Sequence, residues 1–207
     1  WISTDKLRFN QIFFNLLSNA VKFTPYEDDN FQSSVYIYSV SSTQTLEGSY
    51  DGVTWFELKK DSASNLYSVI SIPAHGNAPA KTVKTRKSLY IRGNGYSTDG
   101  DNTNIRVSGK VKVSGNINAL LGNNNLSPYC FTYLFALSTG LVDASNLVLP
   151  ATTLVEGCYS YMFRGCSNLK YIKCLATDIS ATNCTKNWVE GVADTGTFIK
   201  HTNMNGW

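Results

Sequence analysis

The sequence is poor in charged residues and in histidine, and each shortage excludes a class of protein. Charged residues are 16% of the 207 residues, too few for a coiled coil, while 43% hydrophobic residues are too many for a disordered chain. His75 and His201 lie far from the cysteines, and no two cysteines form a C-x-x-C pair. The sequence therefore predicts no metal site, no cofactor and no catalytic residue.

Long hydrophobic runs are also missing. No apolar stretch reaches the roughly 20 residues that a membrane-spanning helix needs. The formal net charge is only +3 and the basic residues are scattered, so nucleic acid is not an expected partner. The first residues lack the basic region, apolar stretch and cleavage site of a signal peptide. What remains is a chain rich in Tyr, Phe, Ser, Thr and Asn, which is typical of short strands joined by polar turns.

Residues 5–23 are predicted to form a helix. Asp5 suits its first turn, and Thr24-Pro25 ends it. Its apolar residues recur at helical spacing: Phe9, Ile12, Phe13, Leu16, Ala20 and Phe23. Because an exposed stripe of this kind promotes association, we expect it to pack on the β region or to join two copies in a homo-oligomer.

The same stretch, DKLRFNQIFFNLLSNAVKFTP, resembles the N-box of sensor histidine kinases. The resemblance implies that Asn15 and Asn19 help to hold Mg²⁺ and ATP phosphates and that Lys22 reaches a phosphate. The family's Gly-rich nucleotide boxes do not follow, and a lone helix cannot enclose a nucleotide, because phosphate binding needs converging backbone amides. A kinase fragment with a residual ATP-binding motif is therefore an alternative to the main hypothesis below.

From residue 33 the hydrophobic period changes to two, which predicts strands. Asp51-Gly52 lies between strand-forming residues and indicates a hairpin. Residues 105–113 give the clearest amphipathic strand, with Gly109 marking a bulge or bend in it. We expect a small antiparallel β-sandwich over residues 33–117, after an N-terminal segment 1–25.

The last third of the sequence, residues 118–207, is repetitive. The stretch from Cys130 to Leu141 aligns with Cys158 to Leu169 at an offset of 28 residues, and a degenerate third copy begins at Cys184. A period in the twenties is typical of leucine-rich repeats. Each copy is predicted to have a short helical part, such as Cys158–Phe163, then a short extended part, and the third copy forms a C-terminal cap. The chain as a whole is thus expected to be mainly β (α+β): a helix, a sandwich and a short solenoid.

The phrases LPATTL, CYSYMFRGCSNL and NWVEGVADTGTFIK, within residues 85–200, resemble the BspA-like leucine-rich repeat surface proteins of gut Bacteroidales. The resemblance implies secretion or surface display and attachment to host or environmental proteins or glycans. It implies no enzymatic chemistry and assigns no binding residue.

The leading hypothesis is therefore a non-catalytic, extracellular or cell-surface adhesion module that recognises a glycan or a protein. Tyr133, Tyr161 and Tyr171 on the repeats are the candidate ligand-binding residues, although ordinary solenoid packing would explain them too. A phage tail-associated protein or a purely structural element are further alternatives. The equivalent cysteines Cys130 and Cys158 are expected to form a buried column with Cys184, with a disulfide as the alternative.

Overall fold

The computed structural model describes residues 20–25, 33–38, 45–58, 66–71, 88–93, 104–122 and 125–204. These residues form eleven strands and one short 3₁₀ helix, Ile117–Leu120. The strands are β1 Val21–Pro25, β2 Ser34–Tyr38, β3 Leu46–Ser49, β4 Phe56–Leu58, β5 Leu66–Ser71, β6 Leu89–Gly93, β7 Asn104–Ser108, β8 Val111–Asn116, β9 Leu141–Val148, β10 Tyr171–Cys174 and β11 Thr197–Lys200.

Eight strands form one mixed sheet in the order β11-β10-β9-β8-β1-β6-β3-β4. Neighbours from β8 to β4 are antiparallel, whereas neighbours from β8 to β11 are parallel. Strands β5, β2 and β7 form a second, antiparallel sheet. Buried side chains of both sheets and of the repeats share one hydrophobic core.

The predicted fold class is wrong in two respects. Val21–Phe23, the end of the predicted helix, lie in β1, and none of the described residues forms an α-helix. Val21 and Phe23 are buried while Lys22 is half-buried, which is the period of a strand, and both edges of β1 pair with neighbours, β6 and β8. Residues 5–19 of the predicted helix lie outside the described residues.

The second correction concerns the sandwich and the solenoid, which are not separate layers. The eight-stranded sheet runs from the hairpins into the repeats and changes from antiparallel to parallel at β8. It thus crosses the predicted boundary between 33–117 and 118–207, and that division stays a prediction. The described residues also contain no helix that is long and apolar enough to span a bilayer.

The amphipathic stretch 105–113 is two strands, not one. The chain turns at Gly109, whose φ is 76°, and β7 joins the three-stranded sheet while β8 joins the eight-stranded sheet. The bend predicted at Gly109 is thus confirmed, but it moves the chain between sheets. The hairpin predicted at Asp51-Gly52 is also confirmed, because β3 and β4 pair across it and the Asp51 carboxylate accepts hydrogen bonds from the amides of Val53 and Thr54.

Each repeat contains a segment of consecutive turns, here called a turn segment: residues 129–137, 157–165 and 183–191. A residue with positive φ recurs at every fourth position in all three: Tyr129, Tyr133, Leu137, Gly157, Tyr161, Gly165, Asn183, Asn187 and Gly191. The short helix predicted over Cys158–Phe163 is therefore wrong. A left-handed residue at every fourth position interrupts a right-handed helix before it can continue.

Successive backbone amides of the turn segments donate alternately within their own segment and to the next segment. Every second amide donates to the carbonyl three residues earlier, as Thr132 does to Tyr129 at 3.1 Å. The amides between them donate to the next segment, as Tyr133 does to Ser160 at 3.1 Å and Tyr161 to Lys186 at 2.8 Å. The repeats are thus joined by a ladder on the turn side as well as by parallel strands.

The core of the repeats lies between the parallel strands and the turn segments. The prediction that Met162 and Phe163, like Leu134 and Phe135, face this core is confirmed, since all four are fully buried. Phe135 stacks on the equivalent Phe163 with ring centroids 5.6 Å apart. Trp188, one position earlier in the third turn segment, lies 6.0 Å from the Phe163 ring on the other side. Buried side chains of successive repeats therefore stack on one another.

All five cysteines are buried free thiols. Burial raises the pKa of the Cys130 and Cys158 thiols to about 12, and Cys158 is raised further by Cys130 and Cys184 on either side. The influence of Cys130 and Cys184 on the pKa of Cys158 fits the predicted column of equivalent thiols. A buried thiol with so high a pKa is protonated at neutral pH, and the protonated form is a poor nucleophile.

We expect the folded protein to show no thiol reaction with Ellman's reagent at mildly alkaline pH, because the thiolate is the reactive form and burial disfavours it. In guanidinium all five cysteines should react. The measurement is the absorbance of released thionitrobenzoate in each condition. Rapid labelling of Cys130 or Cys158 in the native protein, located by mass spectrometry, would contradict the buried column.

Candidate binding surface

The outer side of the turn segments carries a row of aromatic residues. Tyr133 and Tyr161 are both half-buried, and their rings stack with centroids 4.7 Å apart and planes 3° from parallel. Both residues are left-handed, with φ of 60° and 56°. This conformation turns their side chains outward at the same position of successive turns. Two of the three predicted ligand-binding residues therefore lie in direct contact.

The residues with positive φ before and after Tyr133 and Tyr161 also pack closely between the first two repeats. The Tyr129 ring lies over Gly157, where an added Cβ would stand 2.2 Å from the ring. Leu137 lies over Gly165 in the same way, at 2.7 Å. Large side chains in the first repeat thus rest on glycines of the second, while Tyr133 meets another tyrosine.

Charged groups flank the stacked pair on both sides. Arg164 lies 5.5 Å from the Tyr161 ring centre and forms an ion pair of 2.9 Å with Glu190. On the other side the Tyr129 hydroxyl donates to the Glu156 carboxylate at 2.6 Å, and this hydrogen bond raises the pKa of Tyr129. We call Tyr129, Tyr133 and Tyr161, with the flanking Glu156, Arg164 and Glu190, the tyrosine ladder.

Comparisons with known protein families, curated proteins and solved structures find no match.

Tyr171, the third predicted ligand-binding residue, lies on another surface. It is 43% exposed on the outer face of the eight-stranded sheet, where it pairs with Asp143 of β9 and Thr197 of β11. The structure therefore brings Tyr133 and Tyr161 together and leaves Tyr171 apart from them.

Lys22, predicted as a phosphate-binding residue, lies on the outer face of the same sheet. It pairs with Tyr90 of β6 and Ser114 of β8, and its ammonium lies 5.3 Å from the Tyr90 ring centre. It is therefore a strand residue in contact with an aromatic ring rather than part of a helical N-box. Asn15 and Asn19 lie outside the described residues.

Sequence reasoning missed a cationic and aromatic cluster next to Lys22. The Arg92 guanidinium stacks 3.9 Å from the Trp55 ring centre and forms an ion pair of 2.7 Å with Glu47. The alternation around Tyr90 and Arg92 predicted a strand, and its outward residues could have been named as surface candidates. The contact with Trp55 has no local signal, because it depends on the pairing of β3 with β6.

Within the described part of the chain, no group of three or more His, Cys, Asp or Glu side chains could hold a metal ion. The buried thiols face the core. The tyrosine ladder presents aromatic faces and edges, two carboxylates and a guanidinium. These groups can recognise a ligand.

Proposed function

We propose that this protein is a non-catalytic binding module and that its tyrosine ladder recognises a glycan. The observation that carries the proposal is the parallel pair Tyr133 and Tyr161, held outward by left-handed backbone and flanked by charged groups. A sugar offers apolar C–H faces beside hydroxyl groups. An aromatic surface bordered by carboxylates and a guanidinium complements both.

The scaffold supports this role because it fixes the spacing of the tyrosines. The amides of Tyr133 and Tyr161 each donate to the next repeat, at 3.1 and 2.8 Å. The hydrogen bonds between the turn segments therefore fix the positions of both tyrosines. A site built on a rigid scaffold loses little conformational entropy on binding.

The resemblance of residues 85–200 to BspA-like surface proteins supports the same proposal, and it is the reason we propose secretion or surface display. Buried thiols with raised pKa values support the absence of catalysis by cysteine. Lys22 in a strand gives no support to the kinase-fragment alternative.

Replacement of the ladder tyrosines should abolish glycan binding without unfolding the protein. We expect the double variant Tyr133→Asn and Tyr161→Asn to lose most of the signal on a glycan array, because aromatic contacts dominate such interfaces. Asparagine is the matched choice, since Asn187 occupies the equivalent left-handed position of the third repeat with φ of 49°. Isothermal titration with the best array hit gives the change in affinity.

The matched control is Tyr171→Thr, which removes an exposed aromatic ring from a strand on the other surface. It should bind as the wild type does. Loss of binding with Tyr171→Thr but not with the double variant would place the site on the sheet. If the wild type binds no glycan but a protein ligand is lost with the double variant, the ladder is a protein-binding site instead.

A further inference from the structure

The row of outward residues on the turn segments has a ring in the first two repeats and an asparagine in the third. Tyr133 and Tyr161 stack with ring centroids 4.7 Å apart, and Asn187 occupies the next equivalent position. All three share a left-handed backbone, with φ of 60°, 56° and 49°. Because equivalent positions of stacked repeats lie one above the other, Asn187 stands where a third ring would continue the row, and its side chain is too short to cover a phenol ring.

The Tyr161 ring therefore has one stacked face and one face towards the third repeat. Among the described residues, Tyr133 is the one aromatic ring in contact with it. The Arg164 guanidinium lies 5.5 Å from the Tyr161 ring centre, whereas Arg92 lies 3.9 Å from that of Trp55. Arg164 is thus near the Tyr161 ring without being stacked on its centre. Tyr161 is only half-buried, which agrees with an accessible second face.

Polar groups border this second face. Arg164 reaches to the third repeat, where it forms the ion pair of 2.9 Å with Glu190, and about half of each side chain is exposed. The exposed Asn187 amide supplies two N–H donors and a carbonyl acceptor. Gly191, four residues further on, adds no side chain. The space beside Tyr161 thus combines an aromatic wall with a guanidinium, a carboxylate and an amide.

We propose that a pyranose ring of a neutral sugar stacks on this face of Tyr161, in the place that a third tyrosine ring would take. The inference rests on the glycan-binding function proposed above and names the part of the tyrosine ladder that contacts the sugar. A pyranose ring is close to a phenol ring in size. Its C–H face complements the aromatic ring, and its hydroxyl groups complement the three polar groups at the border. Tyr133 supports Tyr161 from behind and does not touch the sugar.

The charges at this place favour hydroxyl groups over a carboxylate. Glu190 balances the charge of Arg164 across their ion pair. A uronic acid would have to displace Glu190 from Arg164 and would then lie beside a second carboxylate, and like charges at close range oppose binding. A neutral hexose leaves the ion pair intact and uses it as both donor and acceptor.

The first test fills the space with the ring that the third repeat lacks. Asn187→Tyr should weaken the signal of the full chain on a glycan array by about tenfold or more, because the new ring stacks on Tyr161 where the sugar lies. Tyrosine suits this backbone, since Tyr133 and Tyr161 adopt the same positive φ, so the melting temperature should not fall. The matched control is Asn183→Tyr, which adds the same ring at the position equivalent to Tyr129 and should bind as the wild type does.

Single replacements of the two tyrosines show which ring the sugar touches. On the same array, Tyr161→Asn should weaken binding about tenfold, because it removes the ring in contact with the sugar. Tyr133→Asn removes only the ring behind it and should weaken binding about twofold. Thermal unfolding checks that both variants are folded.

The sugar class is tested with two matched pairs of small probes. Saturation-transfer NMR compares methyl glucoside with methyl glucuronide, and methyl galactoside with methyl galacturonide. Each pair differs in the carboxylate that replaces the hydroxymethyl group. We expect the neutral member to receive the stronger transfer in at least one pair and the uronic acid in neither.

Some results would overturn this inference and leave the glycan-binding function in place. Asn187→Tyr could bind as well as the wild type or better, as expected if a sugar lies along the edges of a ladder that the variant lengthens. Tyr133→Asn could lose more binding than Tyr161→Asn, which would place the sugar at the other end of the pair. Stronger transfer to the uronic acids would exclude a neutral sugar. A wild-type chain that binds no glycan on the array would instead overturn the proposed function together with this inference.

Discussion

Truncation of Phe163 to alanine should lower the free energy of unfolding by about 3 to 5 kcal/mol, as for other buried aromatic residues. Phe163 is fully buried and lies between Phe135, at 5.6 Å, and Trp188, at 6.0 Å. Removal of the middle ring of a column leaves a cavity that both neighbours border. Because each repeat is stabilised by the next, the loss should extend beyond the second repeat. Chemical denaturation followed by tryptophan fluorescence measures it.

The control is Tyr161→Asn, two residues away in the same turn segment. Tyr161 is half-buried, and Asn187 shows that asparagine suits its left-handed backbone. We expect this variant to cost about 1 kcal/mol, mainly from the lost stacking on Tyr133. Equal and small losses at Phe163 and Tyr161 would mean that the register of the repeats is wrong.

How much of this fold is predictable from sequence depends on whether the signal is local or repeated. The 28-residue offset was sufficient to align Phe135 with Phe163 and to place both in the core. Stacked units put equivalent side chains in contact, whatever the conformation of each unit. The conformation itself was predicted wrongly, because the apolar pairs of the turn segments recur with a period of four, close to that of a helix.

The single strand predicted over residues 105–113 and the helix predicted over Val21–Phe23 also failed, for a different reason. Alternation over residues 105–113 is the same whether the chain continues straight or turns at the glycine and enters a second sheet. Val21–Phe23 are compatible with either a helix or a strand, and pairing with β6 and β8 decides between them. No short stretch of sequence predicts such long-range strand pairings.

The candidate site was predictable to the same extent. The tyrosines at equivalent positions, Tyr133 and Tyr161, were identified by the repeat and lie together. Tyr171 belongs to the strand of its repeat, and only the fold shows that the strand and the turn segment present different surfaces.

The second large effect is expected at Gly140, which joins the first repeat to the corner between β7 and β8. Its amide donates to Val107 at 3.2 Å, and its carbonyl accepts from Val111 at 2.8 Å. A Cβ on Gly140 would stand 2.2 Å from the Gly109 carbonyl oxygen and 2.7 Å from that of Val107. Both are backbone atoms, so no side-chain rotation relieves the clash, and the two chain segments must separate.

We therefore expect Gly140→Ala to cost about 3 to 5 kcal/mol, from overpacking together with the loss of the hydrogen bonds at the corner. Two controls separate the causes. Gly191→Ala has a positive φ of 70° but its nearest neighbour is 3.5 Å away, so it should cost only about 1 kcal/mol of backbone strain. Thr139→Ala, exposed and adjacent, should change stability by less than about 0.5 kcal/mol.

If chemical denaturation shows Gly140→Ala to be no more destabilising than Gly191→Ala, the repeats do not pack against the β7–β8 corner as closely as described. The eight-stranded sheet would then lose one of the contacts that join the hairpins to the repeats, since the Gly140 carbonyl accepts from Val111, the first residue of β8.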